Sequence, residues 1–251
     1  MRRSLQAALY LVLLILLVGC GGGNSNPGLL PPSNQAGSAS TGDGTDATAH
    51  ASFSETWAEL STTGDWTDGD VYGRWTDRWN GYGSISVVTA ADGDALALAP
   101  EALTPYDHSA LVTTSAPVGN FSAAVTLTTT TQLNPSPNPW EVGWVLWAYA
   151  DNTHFYAFTP QPNGWELTKE DPAYAGNQRF LATGSTPKFP VGATYVVGVT
   201  QQGATLTVTV NGTRIVQFTD HERPYMSGDL GLYCEESTVD YGTVTAAVAP
   251  S

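Results

Sequence analysis

From Phe53 onward the chain is a succession of short runs in which apolar and polar residues alternate, and this period of two is its strongest structural constraint. Twelve runs carry it: SISVVTA, ALALAP, SALVTTS, FSAAVTLTTTT, EVGWVLWAYA, HFYAFTP, GWELTK, TYVVGVTQQ, ATLTVTVNG, TRIVQFT, DLGLYC and VDYGTVTAAV. They are rich in Thr, Val and aromatic residues, and Gly, Pro, Asn or Asp separates them. No internal repeat and no clear helical period competes with them. A single open sheet of this many strands would leave one apolar face in water, so the strands must stack in two layers. The expectation is an all-β, antiparallel β-sandwich domain over residues 51–249.

The N-terminus has a different character. It opens MRRSLQAALYLVLLILLVGC, with Arg2 and Arg3 before a nearly unbroken apolar stretch, Leu5–Val18. That is a secretory signal over residues 1–19, too short and wrongly flanked for a stable transmembrane helix. Leu17-Val18-Gly19-Cys20 resembles the bacterial lipobox. The resemblance implies cleavage before Cys20, lipidation of its thiol and a palmitate-bearing membrane lipoprotein. Gly21 follows the cysteine where retained inner-membrane lipoproteins carry Asp, so an outer membrane is favoured if the host has one. Residues 20–50 are mostly Gly, Ser, Asn, Pro and Thr and read as a flexible tether. Its root-mean-square reach is on the order of 30 Å.

Charge and cysteine count narrow the partners. The formal net charge is −14. Loss of Arg2 and Arg3 with the signal leaves seven basic residues against twenty-three acidic, or −16. Such a chain is repelled by nucleic acid and by anionic lipid, so any membrane attachment must come through the anchor. With Cys20 lipidated, Cys234 has no disulfide partner. It lies in phase with Leu230 and Leu232 and reads as a small buried hydrophobe.

Asn211-Gly212 is a strong hairpin signal. The stretch "ATYVVGVTQQGATLTVTVNGTRIVQFTD…YMSGDLGLYCEESTVDYGTVTAAV" resembles the concanavalin A-like lectin/glucanase superfamily, closest to its laminin-G-like and 3-keto-disaccharide-hydrolase-like jelly rolls. The likeness is good over 193–245 and loose over 53–249. It implies a jelly roll and a carbohydrate context, but not one activity, because lectins, glycosidases, lyases and adhesion modules share the fold.

The candidate site lies in residues 138–171, NPWEVGWVLWAYADNTHFYAFTPQPNGWELTKED, which hold four of the eight tryptophans. With Asp151-Asn152 as the turn, Trp147 faces Tyr156, Tyr149 faces His154 and Val145 faces Phe158. A second turn at Asn163-Gly164 pairs Phe158 with Lys169 and Pro160 with Leu167. One face then carries Glu141, Trp147, Tyr149, His154, Tyr156 and Lys169. The other carries Trp144, Leu146, Ala148, Phe155 and Ala157 and is the better core candidate. The first, with rings interleaved among hydrogen-bonding groups, suits a sugar; the alternative makes its Tyr and His residues core or rim. A one-residue error in the turn inverts every assignment. Trp75 and Trp79 read either as a loop platform beside this face or as a loop packed by its own rings.

The retaining-glucanase pattern Glu-x-Asp-x-(x)-Glu is absent, as is the alginate-lyase set. Glu166 and Glu170 share a strand face, about 13 Å apart if extended. Glu141, His154, Tyr156 and Lys169 remain as acid–base candidates for a hydrolase or lyase. No zinc-type spacing occurs. Asp68-Gly69-Asp70 and Asp92-Gly93-Asp94 resemble fragments of calcium loops but lack further ligands and read more simply as turns. Related jelly rolls imply a structural calcium between first and last strands, at Glu55 and Asp240 here; no cofactor is otherwise required. The expected function is carbohydrate binding on a concave aromatic–polar face. A glycoside hydrolase or polysaccharide lyase, and an envelope protein-adhesion module, are the alternatives.

Overall fold

The structure, a computed structural model, describes residues 52–102, 108–114 and 120–248. The signal, Cys20 and the tether lie outside the described residues. Sixteen strands follow in chain order: β1 (Phe53–Glu55), β2 (Val71–Tyr72), β3 (Trp75–Trp79), β4 (Ser84–Ala90), β5 (Gly93–Ala99), β6 (Ser109–Thr114), β7 (Phe121–Gln132) and β8 (Gly143–Asp151). The second half adds β9 (His154–Gln161), β10 (Gly164–Glu170), β11 (Gln178–Gly184), β12 (Thr194–Gln202), β13 (Thr205–Val210), β14 (Thr213–Thr219), β15 (Asp229–Glu235) and β16 (Ser237–Val248). All twelve alternating runs fall on strands. The one helical element among the described residues is a single 3-10 turn at Ala58–Leu60.

The strands form two antiparallel sheets. Sheet A runs β14-β13-β12-β7-β16-β5-β4, with β1 also on β16; sheet B runs β11-β10-β9-β8-β15-β6-β3-β2. The chain crosses between them repeatedly, as a jelly roll requires, and the sandwich expectation holds. Alternation decides what goes inside. Along β7, Phe121, Ala123, Val125 and Leu127 are buried, while Ser122, Ala124, Thr126 and Thr128 face away. They meet Val145, Trp147, Phe158 and Leu232 of sheet B in one continuous core. A buried side chain of this size contributes about 1.5–3 kcal/mol, so the facing strands account for most of the stability. Cys234 belongs to that core, and burial pushes its thiol pKa well up, away from reactivity.

Local chemistry fixes the turns. Asn211 and Gly212 both have positive φ, 49° and 77°, which is the type I′ geometry that joins β13 to β14. Trp75–Trp79 is a strand of sheet B and not a loop: it pairs with β6, buries Trp75 completely and packs that ring, tilted, against Trp57. β1, β2 and β11 are strands too short or too polar for alternation to reveal.

The Trp-dense hairpin keeps part of its expected register. Val145 pairs with Phe158 and Trp147 with Tyr156, but the turn is Asn152-Thr153, with Asp151 opposite His154. The register shifts between Trp147 and Asp151, where Ala148 adopts φ 50°. This bulge absorbs the difference and carries Tyr149 to the opposite face. Gly228 makes it possible: a Cβ there would lie 2.3 Å from the carbonyl carbon of Ala148. At the next turn Lys169 pairs with Tyr156 and Leu167 with Phe158, two residues from the expected register. A two-residue slip leaves the face of each residue unchanged.

Candidate functional site

The structure inverts the two faces of the hairpin. Trp147, Tyr156, Lys169 and Glu141 have no solvent exposure, and Trp147 and Tyr156 lie in the core between the sheets. They cannot line an open binding face, so their assignment as ligand residues is corrected. Most of their polar atoms are satisfied internally, though Trp147 Nε1 and Glu141 Oε2 are buried without a hydrogen-bond partner. Lys169 Nζ donates to Asp220 Oδ2 at 2.8 Å and to the carbonyls of Glu222 and Arg223 at 2.8 and 2.7 Å. Tyr156 Oη donates to the same Asp220 oxygen at 2.7 Å and accepts from the Tyr225 amide at 3.0 Å. Burial drives the Tyr156 hydroxyl pKa far up, and the hydrogen bond to Asp220 adds to it. Burial also opposes ionisation of Asp220, but the bonds from Lys169 and Tyr156 outweigh it and hold its pKa low. Polar tips here anchor the 220–225 segment over the sandwich edge.

The remaining members of that set disperse. Glu141 Oε1 accepts from the Asn138 backbone and side chain at 2.9 and 2.7 Å. His154 sits at the hairpin tip, half-exposed, with Nδ1 2.9 Å from Asp151 and its ring edge-on to Tyr225. A shallow pocket there is lined by Asp151, His154, Tyr225 and Met226. Only Tyr156 and Lys169 come together, with no access to substrate, so the four form no acid–base site. Glu55 and Asp240 do not pair either. Glu55 accepts from the Trp57 amide and Trp75 Nε1 and faces Val244, four residues along β16 from Asp240.

Among the described residues every strand belongs to one of the two sheets, and no third layer of strands covers the outer face of sheet B. That face carries a second apolar cluster: Leu111, Leu146, Tyr149 and Ala157, with Trp144, Phe155 and Tyr233 packed on it and partly exposed. Register gives it a shape. Thr168 pairs with Ala157, Ala157 with Leu146, Leu146 with Gly231, Gly231 with Thr113 and Thr113 with Thr76. This row of mostly small residues crosses six strands, about 24 Å at ordinary strand spacing. Two residues to one side stand Trp144 and Tyr233, which pair with each other, and then Leu111 and Trp79. To the other side stand Phe155 and Tyr149, stacked at 6.0 Å. The result is a shallow trough with aromatic walls over a floor closed to solvent, Ala157 and Thr113 at 0%; Phe155 and Thr159, on the two sides, are about 13 Å apart along β9.

Polar groups punctuate it. Glu166 and Glu170 flank Thr168 on β10, one beside each wall. Burial lifts Glu170 to about 7. Burial also raises Glu166, with the Gln161 amide opposing it in part. The Thr159 hydroxyl, opposite Glu166, is buried without a hydrogen-bond partner. At the far end Arg78 donates to Thr113 at 2.9 Å and to Asp229 at 3.3 Å. The Trp144 indole is pinned by its N–H to the Trp140 carbonyl at 2.8 Å, so its ring orientation is set before any ligand arrives.

The fold has solved counterparts. The carbohydrate-binding module CBM66 from Bacillus subtilis superposes with TM-score 0.51 at 15% identity, over 69% of this chain and 94% of that one. An apo Crh5 transglycosylase gives 0.51 at 8%, over 80% and 85%. A sialidase gives 0.52 at 11%, over 80% of this chain and 19% of the larger protein. At these identities the likeness shows the fold alone. No family model matches the sequence, and no curated protein matches it.

Sequence reasoning placed Trp144 and Phe155 in the core and passed over Tyr233. The signal for Tyr233 was present: with Leu230, Leu232 and Cys234 inward, residues 231 and 233 must face out.

Proposed function

We propose that this domain binds carbohydrate in the trough on the outer face of sheet B. The observation that carries the reading is the set of partly exposed aromatic side chains, Trp144, Phe155 and Tyr233, beside Glu166 on a face that no strand covers among the described residues. Sugar rings present C–H patches that lie on aromatic faces and hydroxyls that need polar partners, and the partly exposed Glu166 supplies one, with the buried Glu170 and Thr159 beneath the surface. A neutral glycan fits best, because the two glutamates have no ion-pair partner among the described residues and the whole chain is acidic. Neighbours that include a carbohydrate-binding module and a transglycosylase support the reading. As a lipoprotein anchored through Cys20, the domain would work outside the cytoplasm on its tether, at the outer membrane in a two-membrane host.

A glycan array followed by affinity electrophoresis tests this with Trp144→Ala and Phe155→Ala, one from each wall. Retardation by at least one neutral polysaccharide, weakened about tenfold or more by each change, is expected. A wild-type protein retarded by no glycan defeats the reading, and so does retardation that both variants preserve.

A further inference from the structure

Asp77 is the least satisfied acid among the described residues. It lies on β3, has no solvent exposure, and neither carboxylate oxygen makes a hydrogen bond of ordinary geometry. An isolated buried carboxylate is costly, and proteins resolve it by pairing, protonation or a bound metal. Among the described residues no cation forms an ion pair with it. The nearest arginines in sequence are committed elsewhere, Arg74 to Glu55 and Arg78 to Asp229.

Its neighbours are more acids. Gly69 N donates to Asp77 O at 2.7 Å and Asp77 N to Asp70 O at 3.0 Å, which extends the β2–β3 pairing of Val71 with Thr76. Gly69 and Asp70 together therefore oppose Asp77 as a glycine bulge, which sets Asp70 beside Asp77, an arrangement that is repulsive between like charges. Asp68 closes the same corner, because its Oδ1 accepts from the Asn80 amide at 2.8 Å, three residues beyond Asp77.

We infer that Asp68, Asp70 and Asp77 hold a calcium ion at the β2–β3 hairpin. Asp77 is the fixed buried ligand; Asp68 and Asp70 are exposed on a turn whose Gly69 has φ 86°. Among the described residues no three acidic, histidine or cysteine side chains already converge on a point. The ion itself would draw the two exposed carboxylates onto the third. An all-oxygen set of uneven depth on a turn suits calcium, which accepts irregular coordination and water, better than magnesium, which demands a near-ideal octahedron. The bound ion would also steady β3, which carries Trp79 to the trough wall, but the inference stands independently of any glycan.

The test uses the full-length chain, stripped with EDTA and titrated with calcium chloride to about 1 mM, the upper range for extracellular modules. Isothermal titration should show one ion per chain, and the unfolding midpoint should rise by several degrees. Asp77→Asn, which keeps the shape and removes the charge, should abolish the rise. The exposed pair Asp68→Asn/Asp70→Asn, which leaves the core untouched, should weaken calcium about tenfold or more. A wild-type midpoint indifferent to calcium overturns the inference. Calcium binding unchanged in Asp77→Asn, or a response to magnesium alone, overturns it equally.

Discussion

Strands β8 and β9 send Trp147 and Tyr156 to the interior and Trp144 and Phe155 to the outside. The two faces hold similar rings but treat polar atoms differently. Inside, the Tyr156 hydroxyl and the Lys169 ammonium are locked to Asp220 and to backbone carbonyls. Outside, Glu166 and Glu170 lack an ionic partner among the described residues, and the Thr159 hydroxyl has none of any kind. The difference teaches that a polar group on a strand face says nothing about solvent until its partner is known. A satisfied network belongs to the interior as readily as a methyl group does, and a single unsatisfied atom such as Trp147 Nε1 occurs there too, so only a cluster of exposed rings and polar groups points to a ligand.

Experiments can break this comparison, and the largest effects belong to the inner face. Lys169→Ala leaves Asp220 buried beside Arg179 as its one charged partner among the described residues, and should cost about 3–5 kcal/mol in urea unfolding. Trp147→Ala should cost about 3–5 kcal/mol by opening a core cavity. Glycan binding per folded molecule should survive both changes; loss of binding at intact stability would return the inner residues to the site.

Next comes the pH response of Glu170. Its folded pKa, about 7, lies above the ordinary 4.5, so the neutral acid is favoured by folding. The stabilisation is complete below about pH 4.5 and is lost as pH rises through 7, up to about 3 kcal/mol in all. Glu170→Gln should flatten that slope in a series of unfolding curves. An unchanged slope would show that the outer face is wetter than its geometry indicates.

Smaller still is the stability cost of Trp144→Ala, about 1–2 kcal/mol, because that ring is partly exposed. Its effect should appear in binding, with a loss of about tenfold or more against stability of little consequence. Finally, His154→Ala at the half-exposed hairpin tip should change stability by no more than about 0.5 kcal/mol and leave binding unaltered. A large loss of binding there would move the site from the trough to the tip pocket.

The fold was legible because alternation is a local property. All twelve runs became strands, and two stacked layers are the only economical way to bury one face of each. The site was half legible. The hairpin that carries the proposed trough was singled out, the pairs Trp147–Tyr156 and Val145–Phe158 match the register, and Lys169 lies on the same side as Tyr156. The choice of which side faces the second sheet was inverted, and Tyr149 crossed over at a bulge that nothing in residues 145–151 announces.

The sequence by itself thus determined the strands, the turn at Asn211-Gly212, the acidic surface and the place of the aromatic concentration, since each depends on neighbours along the chain. Only the tertiary structure decided that Asp220 would reach Lys169 and Tyr156 from fifty-one and sixty-four residues away, taking their polar atoms out of play. The physical reason is that burial of a polar side chain depends on a partner brought by another strand, and alternation records the period of a face but not its direction.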